Sequence, residues 1–259
     1  MREPQNLAVN PRTSKTAYDL AAPFYDNWEW QRFWREYEYP IIREKIADVS
    51  RQSSTELAIL DLGCGTGWYL KSLSDLTTDF RGIDISEGMI KIARSRVSSD
   101  KVTVGDIRTS KLLPNRYDVI LVTRVLSHIE DMTHLFDQIQ RAVRPFGIVI
   151  LSDIDPMHNY KFTKLPYFDK SVFAETFKHS KNEIENEFKS RGFAYEAGYN
   201  IGTDGTIKLS PKADSEATIE NPAGWITFWR QLRKKPEGRL LFKRRRKLMS
   251  VDSEGILRT

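Results

Sequence analysis

The chain has 259 residues, of which 40 are lysine or arginine, 35 are aspartate or glutamate, and one is cysteine. A hydrophobic content of 40% is enough for a sizeable core, which excludes wholesale disorder. A single cysteine excludes a disulfide framework and a cysteine-built zinc site. No apolar run is long enough to span a membrane, and the polar segment 1–11 lacks the apolar core of a signal peptide, so we expect a cytoplasmic protein.

Strand and helix patterns alternate through the middle of the chain. The predicted strands are Leu57–Leu62, Phe80–Asp84, Lys101–Val104, Tyr117–Val122 and Ile148–Leu151. The predicted helices are Trp28–Val49, Trp68–Leu76, a segment that follows a cap at Ser86, Glu130–Val143 and Asn182–Arg191. This alternation implies right-handed crossovers and an α/β fold whose sheet is mostly parallel, with helices on both faces.

Two further strands are predicted near the C-terminus, at Phe193–Ile201 and Trp225–Leu232, with Asp204-Gly205 as the turn between them. The segment Arg144-Pro145-Phe146-Gly147 is predicted to be a turn that precedes the fifth strand. The expected organisation is an N-terminal cap or lid at 1–50, a core domain at 51–235 with an acceptor-side insert at 153–177, and a basic C-terminal tail at 236–259.

Basic charge is concentrated near the C-terminus. Residues 230–247 hold ten basic residues and one acidic residue, whereas the remainder holds 30 basic and 34 acidic residues. The segment is compatible with a solvated tail or with binding of phosphates or anionic lipid. The body of the protein is mildly acidic, which argues against a nucleic-acid partner.

A glycine-rich loop directly follows the first predicted strand, with the sequence Asp-Leu-Gly-Cys-Gly-Thr-Gly at positions 61–67. Glycine at three alternate positions lets the backbone turn tightly and approach a ligand closely. A loop at the carboxyl end of a strand, at a switch point of such a sheet, is where these folds bind nucleotides. Cys64, within the loop, is expected to pack as a small apolar residue.

Acidic residues follow the second and third predicted strands. Asp84 ends the second strand, and its carboxylate can accept both hydroxyl protons of a ribose. Asp106 follows the third strand, where it can accept from an exocyclic amine while Ile107 presses on a purine face. Three such features in this order indicate an adenosine-type ligand, although the two acids are also compatible with ordinary strand-end caps.

The details of the loop distinguish between adenosine ligands. Trp68 replaces the last glycine of the dinucleotide fingerprint, and the Gly-Lys-Ser/Thr of a P-loop is absent. Asp61 would repel a pyrophosphate but suits an ammonium group. The pattern therefore favours a ligand with a ribose, an adenine and a cationic amino-acid end, and S-adenosylmethionine has all three.

Residues 18–154 resemble the class I S-adenosylmethionine-dependent methyltransferases, in the group that contains ubiquinone/menaquinone-type and natural-product small-molecule enzymes. The glycine segment 59–67, the acidic segment 83–86 and the segment 105–107 match the family's motifs, and Tyr18–Asp26 resembles its Y-D-x-x-A-x-x-Y-D entry segment. The resemblance implies a Rossmann-like, seven-stranded, mostly parallel sheet whose last strand is antiparallel. It also implies a set of cofactor-binding residues: Tyr18, Tyr25, Asp61, Gly63, Cys64, Gly65, Gly67, Asp84, Ile85, Met89, Asp106, Ile107 and Thr123.

Methyl transfer from a sulfonium is an in-line displacement in which the protein mainly aligns the reactants, so a general base is not required. His128, in a segment that resembles the family's H-H-L-x-D motif, is the first candidate for a base; packing alone is the alternative. His158, beyond the fifth strand where acceptor-binding residues gather, is the second candidate, and a surface histidine is the alternative. Asp153 and Asp155 lack an identifiable third ligand, so no metal site is predicted.

An aromatic run on the N-terminal helix is compatible with a helix docked on the core or with a lid over an apolar or aromatic acceptor: Trp28, Trp30, Phe33, Trp34, Tyr37 and Tyr39. The segment after the fourth strand, 123–126, lacks the [N/D]-P-P-[Y/F] motif of enzymes that methylate exocyclic amines of DNA or glutamine side chains. We expect a methyltransferase for a small-molecule acceptor, first at oxygen and otherwise at nitrogen or carbon, in secondary-metabolite or cofactor biosynthesis. The alternatives are an RNA or protein methyltransferase that uses 233–247, and a silent cofactor-binding partner protein. The oligomeric state stays open, with a homodimer as one option.

Overall fold

The structure is a computed structural model that describes residues 10–158, 160–210, 219–234 and 240–241. The helices are α1 Ser14–Tyr25, α2 Glu29–Tyr37, α3 Tyr39–Gln52, α4 Trp68–Ser72, α5 Glu87–Arg96, α6 Thr133–Ala142 and α7 Lys181–Ser190, with short 3-10 turns at Ser99–Lys101 and Leu126–His128. The strands are β1 Ile59–Leu62, β2 Phe80–Asp84, β3 Val102–Val104, β4 Tyr117–Thr123, β5 Val143–Ile154, β6 Thr163–Tyr167, β7 Lys170–Ala174, β8 Phe193–Gly202, β9 Ile207–Ser210, β10 Pro222–Gln231, β11 Arg233–Lys234 and β12 Leu240–Leu241.

One large sheet organises the described part of the chain, with the strand order β3-β2-β1-β4-β5-β10-β8-β9. Strands β1 to β5 are mutually parallel, and β10 runs antiparallel between β5 and β8. The expected Rossmann-like sheet with a late antiparallel strand is therefore confirmed. The described residues hold eight strands in this sheet rather than seven, because the turn at Asp204-Gly205 leads into β9, which pairs with β8.

Both faces of the sheet are buried, as a parallel sheet requires. Along β1, Leu60 and Leu62 face a core formed with α6 and α7, whereas Ile59 faces a second core formed with α3, α4 and α5. All three side chains are fully buried. Because successive residues of a strand point to opposite faces, one run of apolar residues supports both layers of helices.

The aromatic N-terminal segment forms two helices, so the prediction of one helix over Trp28–Val49 is wrong. The break falls at Glu38, and α3 has Pro40 in its first turn. Proline has no N–H to donate to the preceding turn, and its ring disfavours a continuous helix through that point. The predicted helices Trp68–Leu76 and Glu130–Val143 are also shorter than expected, as α4 and α6.

The insert after the fifth strand forms the hairpin β6–β7, which packs against α1 in a small apolar cluster around Ala21 and Leu165. Asp19 of α1 accepts hydrogen bonds from Ser86 Oγ at 2.7 Å and from the Gly88 N–H at 2.9 Å, both at the start of α5. The N-terminal segment is thus attached to the core and to the insert.

Two other predicted segments differ from the observed elements or lie outside the described residues. The predicted turn Arg144–Gly147 lies within β5, where Phe146 has a positive φ of 67°. The predicted basic tail at 236–259 falls outside the described residues except for β12. None of the helices within the described residues is long and apolar enough to cross a membrane.

The aromatic contact between Phe188 and Trp229 gives a test of the fold. The two rings stack with centroids 4.4 Å apart, and Phe188 is fully buried. We expect Phe188→Ala to lower the free energy of unfolding by about 3–5 kcal/mol, because it leaves a cavity under the sheet. Leu209→Ala is the matched control, since Leu209 is 58% exposed on β9. Equal losses in urea denaturation would contradict this packing.

Candidate active site

The loops at the carboxyl ends of β1 to β4 surround one cavity. Most of the sequence-predicted binding residues line it, together with one of the two candidate histidines: Tyr18, Tyr25, Asp61, Gly63, Cys64, Gly65, Asp84, Ile85, Asp106, Ile107, Thr123 and His128. The parallel arrangement explains this convergence, because the carboxyl ends of parallel strands meet at one edge of the sheet. We call this the first cavity.

The glycine loop has the backbone that its sequence implies. Gly63 and Gly67 have φ values of 80° and 72°, in the left-handed region that favours glycine. A Cβ on Gly63 would lie 2.3 Å from Val125 Cγ2, so a side chain there would collide with the loop after β4. A Cβ on Gly67 would lie 3.0 Å from Ala93 Cβ of α5. Gly67 therefore serves the packing of the loop on α5, behind the cavity wall.

Met89 is a predicted cofactor-binding residue that the structure places elsewhere. Its side chain is fully buried on α5, and among the described residues it is not part of the first cavity's lining. Its N–H donates to Ser86 Oγ, which caps the helix. A contact between Met89 and a bound adenine stays a prediction.

Asp84 is held in one orientation by the backbone around it. Its Oδ2 accepts from the Gly65 N–H and its Oδ1 from the Ser86 N–H, both at 2.8 Å. Burial raises the pKa of Asp84 to about 6, against the effect of these two hydrogen bonds. The carboxylate is thus fixed between the glycine loop and α5, with acceptor capacity left for a ligand.

Asp61, at the end of β1, is buried and incompletely satisfied. Its Oδ1 has no hydrogen-bond partner in the described part of the chain. Burial, with a smaller contribution from the charge of Asp84, raises the pKa of Asp61 to about 7. A cationic donor placed against this oxygen would restore the charged form, so the site fits the ammonium group of an amino-acid ligand.

Asp106 is already engaged. Its two carboxylate oxygens accept from Arg108, with Oδ2 at 2.6 Å from Nη2 and Oδ1 at 3.0 Å from Nε. The Arg108 guanidinium lowers the pKa of Asp106. An exocyclic amine would have to share these oxygens, so the role of Asp106 stays a prediction, whereas Ile107 beside it is buried against the cavity.

His128 is hydrogen-bonded at both ring nitrogens. Its Nδ1 lies 3.1 Å from the Glu175 carbonyl oxygen, and its Nε2 lies 2.8 Å from the Tyr18 hydroxyl. Because a carbonyl only accepts, Nδ1 carries the proton and Nε2 accepts from Tyr18 in the neutral ring. Burial lowers the pKa of His128, against an opposing effect of Asp153. His128 is therefore a neutral imidazole with an acceptor nitrogen directed at Tyr18.

A second cavity adjoins the first and has mostly aromatic walls. Its aromatic and histidine lining consists of Tyr18, Tyr25, Trp28, Trp30, Trp34, His128, His158, Tyr160 and Phe162. His158 thus lies in the second cavity and not in the first. Trp34 is 3% exposed and packs on Ile201 and Ala223, so this segment is docked on the core. Trp34 also lines the second cavity, and a lid over an acceptor stays a prediction.

Five residues border both cavities, and sequence reasoning missed two of them. They are Tyr18, Tyr25, Gln31, Arg124 and His128. Arg124 forms a buried ion pair with Glu38, which also accepts from the Tyr69 hydroxyl. In the sequence, Arg124 is marked only as a charged residue directly after the buried strand β4. Its partner Glu38 lies 86 positions away, so the ion pair could not be predicted from neighbouring residues.

Comparison with known proteins agrees with this geometry. Residues 60–151 match a family model described as a methyltransferase domain. The chain is 27% identical over 181 residues to a malonyl-[acyl-carrier protein] O-methyltransferase of Buchnera aphidicola, an alignment that covers 68% of each chain. It is 31% identical over 125 residues to a ubiquinone biosynthesis O-methyltransferase of Sinorhizobium medicae, covering 44% of this chain and half of that protein.

Solved structures show the same fold at low identity. The PH0226 protein from Pyrococcus horikoshii superposes with a TM-score of 0.59 at 20% identity, covering 84% of this chain and 99% of that one. A magnesium protoporphyrin IX methyltransferase from Synechocystis, solved with S-adenosylhomocysteine, has a TM-score of 0.55 at 15% identity and covers 78% and 92%. From the glycine loop, the two acids beside it and these similarities, we conclude that residues 60–151 form a methyltransferase domain and that the chain has the fold of the S-adenosylmethionine-dependent methyltransferases.

Proposed function

We propose that this protein methylates an oxygen atom of a small-molecule acceptor. The observation that carries the proposal is the pair of adjoining cavities, one with buried acids and one with aromatic walls, that share a border of five residues. Such an arrangement allows cofactor and acceptor to be held side by side, and alignment alone can contribute roughly 7–11 kcal/mol to the rate. Nitrogen or carbon acceptors are compatible with the same arrangement.

The first cavity would hold the cofactor through two acids, the buried Asp61 and the half-buried Asp84. Asp84, fixed by the Gly65 and Ser86 N–H groups, would accept from the ribose hydroxyls. Asp61, with its unsatisfied Oδ1, would accept from the ammonium group. When bound, S-adenosylmethionine supplies an electrophilic methyl group.

The second cavity would hold the acceptor. Its aromatic walls suit an acceptor that is apolar or aromatic in part. His158 lies against Trp30, and its Nδ1 is buried with no partner among the residues described. Burial lowers the pKa of His158, so its ring is neutral and can orient an acceptor by a hydrogen bond.

Tyr18 and His128 together can receive the acceptor's proton. A hydroxyl proton can pass to the Tyr18 oxygen as the Tyr18 proton passes to His128 Nε2, 2.8 Å away. The imidazolium formed would be stabilised by the Glu175 carbonyl and by the nearby Asp153. Alignment remains the larger contribution, and this pair would add to it.

The relatives support oxygen as the acceptor atom. The relatives from Buchnera aphidicola and Sinorhizobium medicae are named malonyl-[acyl-carrier protein] O-methyltransferase and ubiquinone biosynthesis O-methyltransferase. They favour a biosynthetic role here as well. The basic segment on which an RNA or protein methyltransferase would depend lies mostly outside the described residues, and no observation favours that alternative.

The direct test is to incubate the protein with S-adenosylmethionine and a panel of phenols, catechols and carboxylic acids, and to measure S-adenosylhomocysteine release and product mass. We expect O-methylated products whose formation is insensitive to moderate salt. Activity confined to RNA or protein acceptors, with steep salt dependence, would contradict the proposal. So would cofactor binding without any turnover, which would indicate a silent partner protein.

Asp84→Ala should weaken binding of S-adenosylhomocysteine by about 2 kcal/mol or more, because charge-assisted hydrogen bonds to the ribose are lost. Asp84→Asn, which keeps one oxygen acceptor, should lie between this variant and wild type. Asp100→Ala on the exposed turn after α5 is the control. Isothermal titration calorimetry measures all four proteins; unchanged affinity in Asp84→Ala would refute the assignment.

Cofactor affinity should rise between about pH 6 and about pH 8, because the ammonium group favours ionised Asp61, whose pKa is about 7 in the free protein. The stability of the ligand-free protein should change with pH in the opposite direction to the cofactor affinity. The raised pKa means that the folded state binds the proton more tightly, so the free energy of unfolding falls between about pH 4 and about pH 7 and then levels off. Asp61→Asn should remove the change in affinity and reduce the change in stability, to which Asp84 also contributes. Calorimetry between about pH 6 and about pH 8 and urea denaturation between about pH 4 and about pH 8 measure the two effects. A pH-independent wild-type protein would count against this interpretation.

Tyr18→Phe should lower kcat by roughly tenfold or more while leaving cofactor affinity nearly unchanged, since it keeps the ring and removes the proton relay. His128→Asn should give a similar loss and should abolish the acidic limb of the pH–rate profile. Tyr167→Phe, on the nearby hairpin, is the matched control. A loss smaller than tenfold in His128→Asn would eliminate it as a general base.

A further inference from the structure

Two of the five residues that border both cavities carry N–H groups without a partner. Arg124 Nε and Gln31 Nε2 are buried, and neither has a hydrogen-bond partner within the described ranges. Gln31 is only 5% exposed. Leaving a buried donor unpaired is costly, so their common position at the border indicates that a ligand satisfies them.

The backbone at Arg124, which lines both cavities, has an uncommon conformation. Arg124 has a positive φ of 55°, which is uncommon for a residue with a side chain, and its N–H donates to the Ser152 carbonyl at 2.7 Å. Strain of this kind tends to be kept at functional sites. The guanidinium lies 5.5 Å from the Trp34 ring and 5.6 Å from the Tyr69 ring, which leaves it little freedom to turn away.

The charge of Arg124 is only partly used within the protein. Its Nη1 donates to Glu38, which is 1% exposed and is also held by the Tyr69 hydroxyl. Because Glu38 has a second donor, Arg124 can share its charge with another anion through its remaining N–H groups. Lys164, which also lines the second cavity, adds a second positive charge there.

From this geometry we infer that Arg124 and Gln31 bind an anionic oxygen group of the methyl acceptor, so that the acceptor is a carboxylic acid. Arginine has only donors and prefers planar oxyanions, and the Gln31 amide adds a neutral donor. The inference rests on the proposed function. The carboxylate could itself receive the methyl group, giving an ester, or it could anchor an acceptor whose hydroxyl receives it, giving an ether.

The test measures binding to the protein saturated with S-adenosylhomocysteine, using benzoate and its neutral analogue benzamide. We expect benzoate to bind at least about tenfold more tightly than benzamide. Gln31→Leu, which removes a neutral donor, should reduce this preference only in part. The double variant Arg124→Met/Glu38→Gln should remove most of this preference without leaving Glu38 as an unpaired buried charge.

Arg116→Met is the matched control, because Arg116 precedes the other end of β4 and pairs with Asp79. It should keep the full preference for benzoate. Equal affinities for the two probes, or no measurable binding of benzoate, would overturn the inference. Failure to bind S-adenosylhomocysteine at all would instead refute the proposed function, so the two failures are distinguishable.

A comparison of two cofactor analogues tests whether the anion is instead the cofactor's own carboxylate. Affinities of the variants for S-adenosylhomocysteine and for 5′-methylthioadenosine, which lacks the amino-acid end, should change equally or not at all. A selective loss for S-adenosylhomocysteine would overturn the inference. With 4-hydroxybenzoate as acceptor, mild alkaline hydrolysis of the product separates the two forms of the proposal, since an ester is cleaved and an ether is not.

Discussion

The structure around the active site depends on the burial of two carboxylates at the ends of adjacent parallel strands. Burial raises the pKa of Asp61 to about 7 and that of Asp84 to about 6, and the two charges oppose each other. Asp84 is compensated by backbone N–H groups, whereas Asp61 keeps an unsatisfied oxygen. Asp61 is thus the carboxylate that a cationic donor would stabilise in its charged form, which fits a cofactor with an ammonium group.

The N-terminal segment completes the site by attachment at the middle and at the C-terminal end of α1. Asp19 accepts from the start of α5, and Asp26 accepts from Thr66 of the glycine loop at 2.9 Å and forms an ion pair with Arg96. These contacts place Tyr18 over the first cavity. The same segment supplies much of the aromatic wall of the second cavity, so one piece of chain borders both cavities. Because the two cavities share a wall, the five residues in that wall can contact a ligand in either cavity.

The sequence predicted features that depend on neighbouring residues, and it did not predict features that depend on a partner far away in the chain. The helix break at Glu38 follows from Pro40, a local effect that the aromatic periodicity concealed. Strand β9 was missed because four residues at a sheet edge carry little pattern. The partners of His128, which are Tyr18 and Glu175, lie 110 and 47 positions away, so its tautomer could not be predicted from its neighbours.

The sequence by itself determined the sheet, the glycine loop and the cofactor class, because each is encoded in a contiguous segment: alternation of apolar runs, three glycines that need left-handed backbone, and acids at strand ends. Only the tertiary structure decided the second cavity and its polar groups. Gln31, Glu38 and Arg124 become meaningful when α2, α3 and the end of β4 converge, with Glu38 and Arg124 paired in a buried site. Such pairing depends on the packing of segments far apart in the chain, which no local pattern of residues encodes.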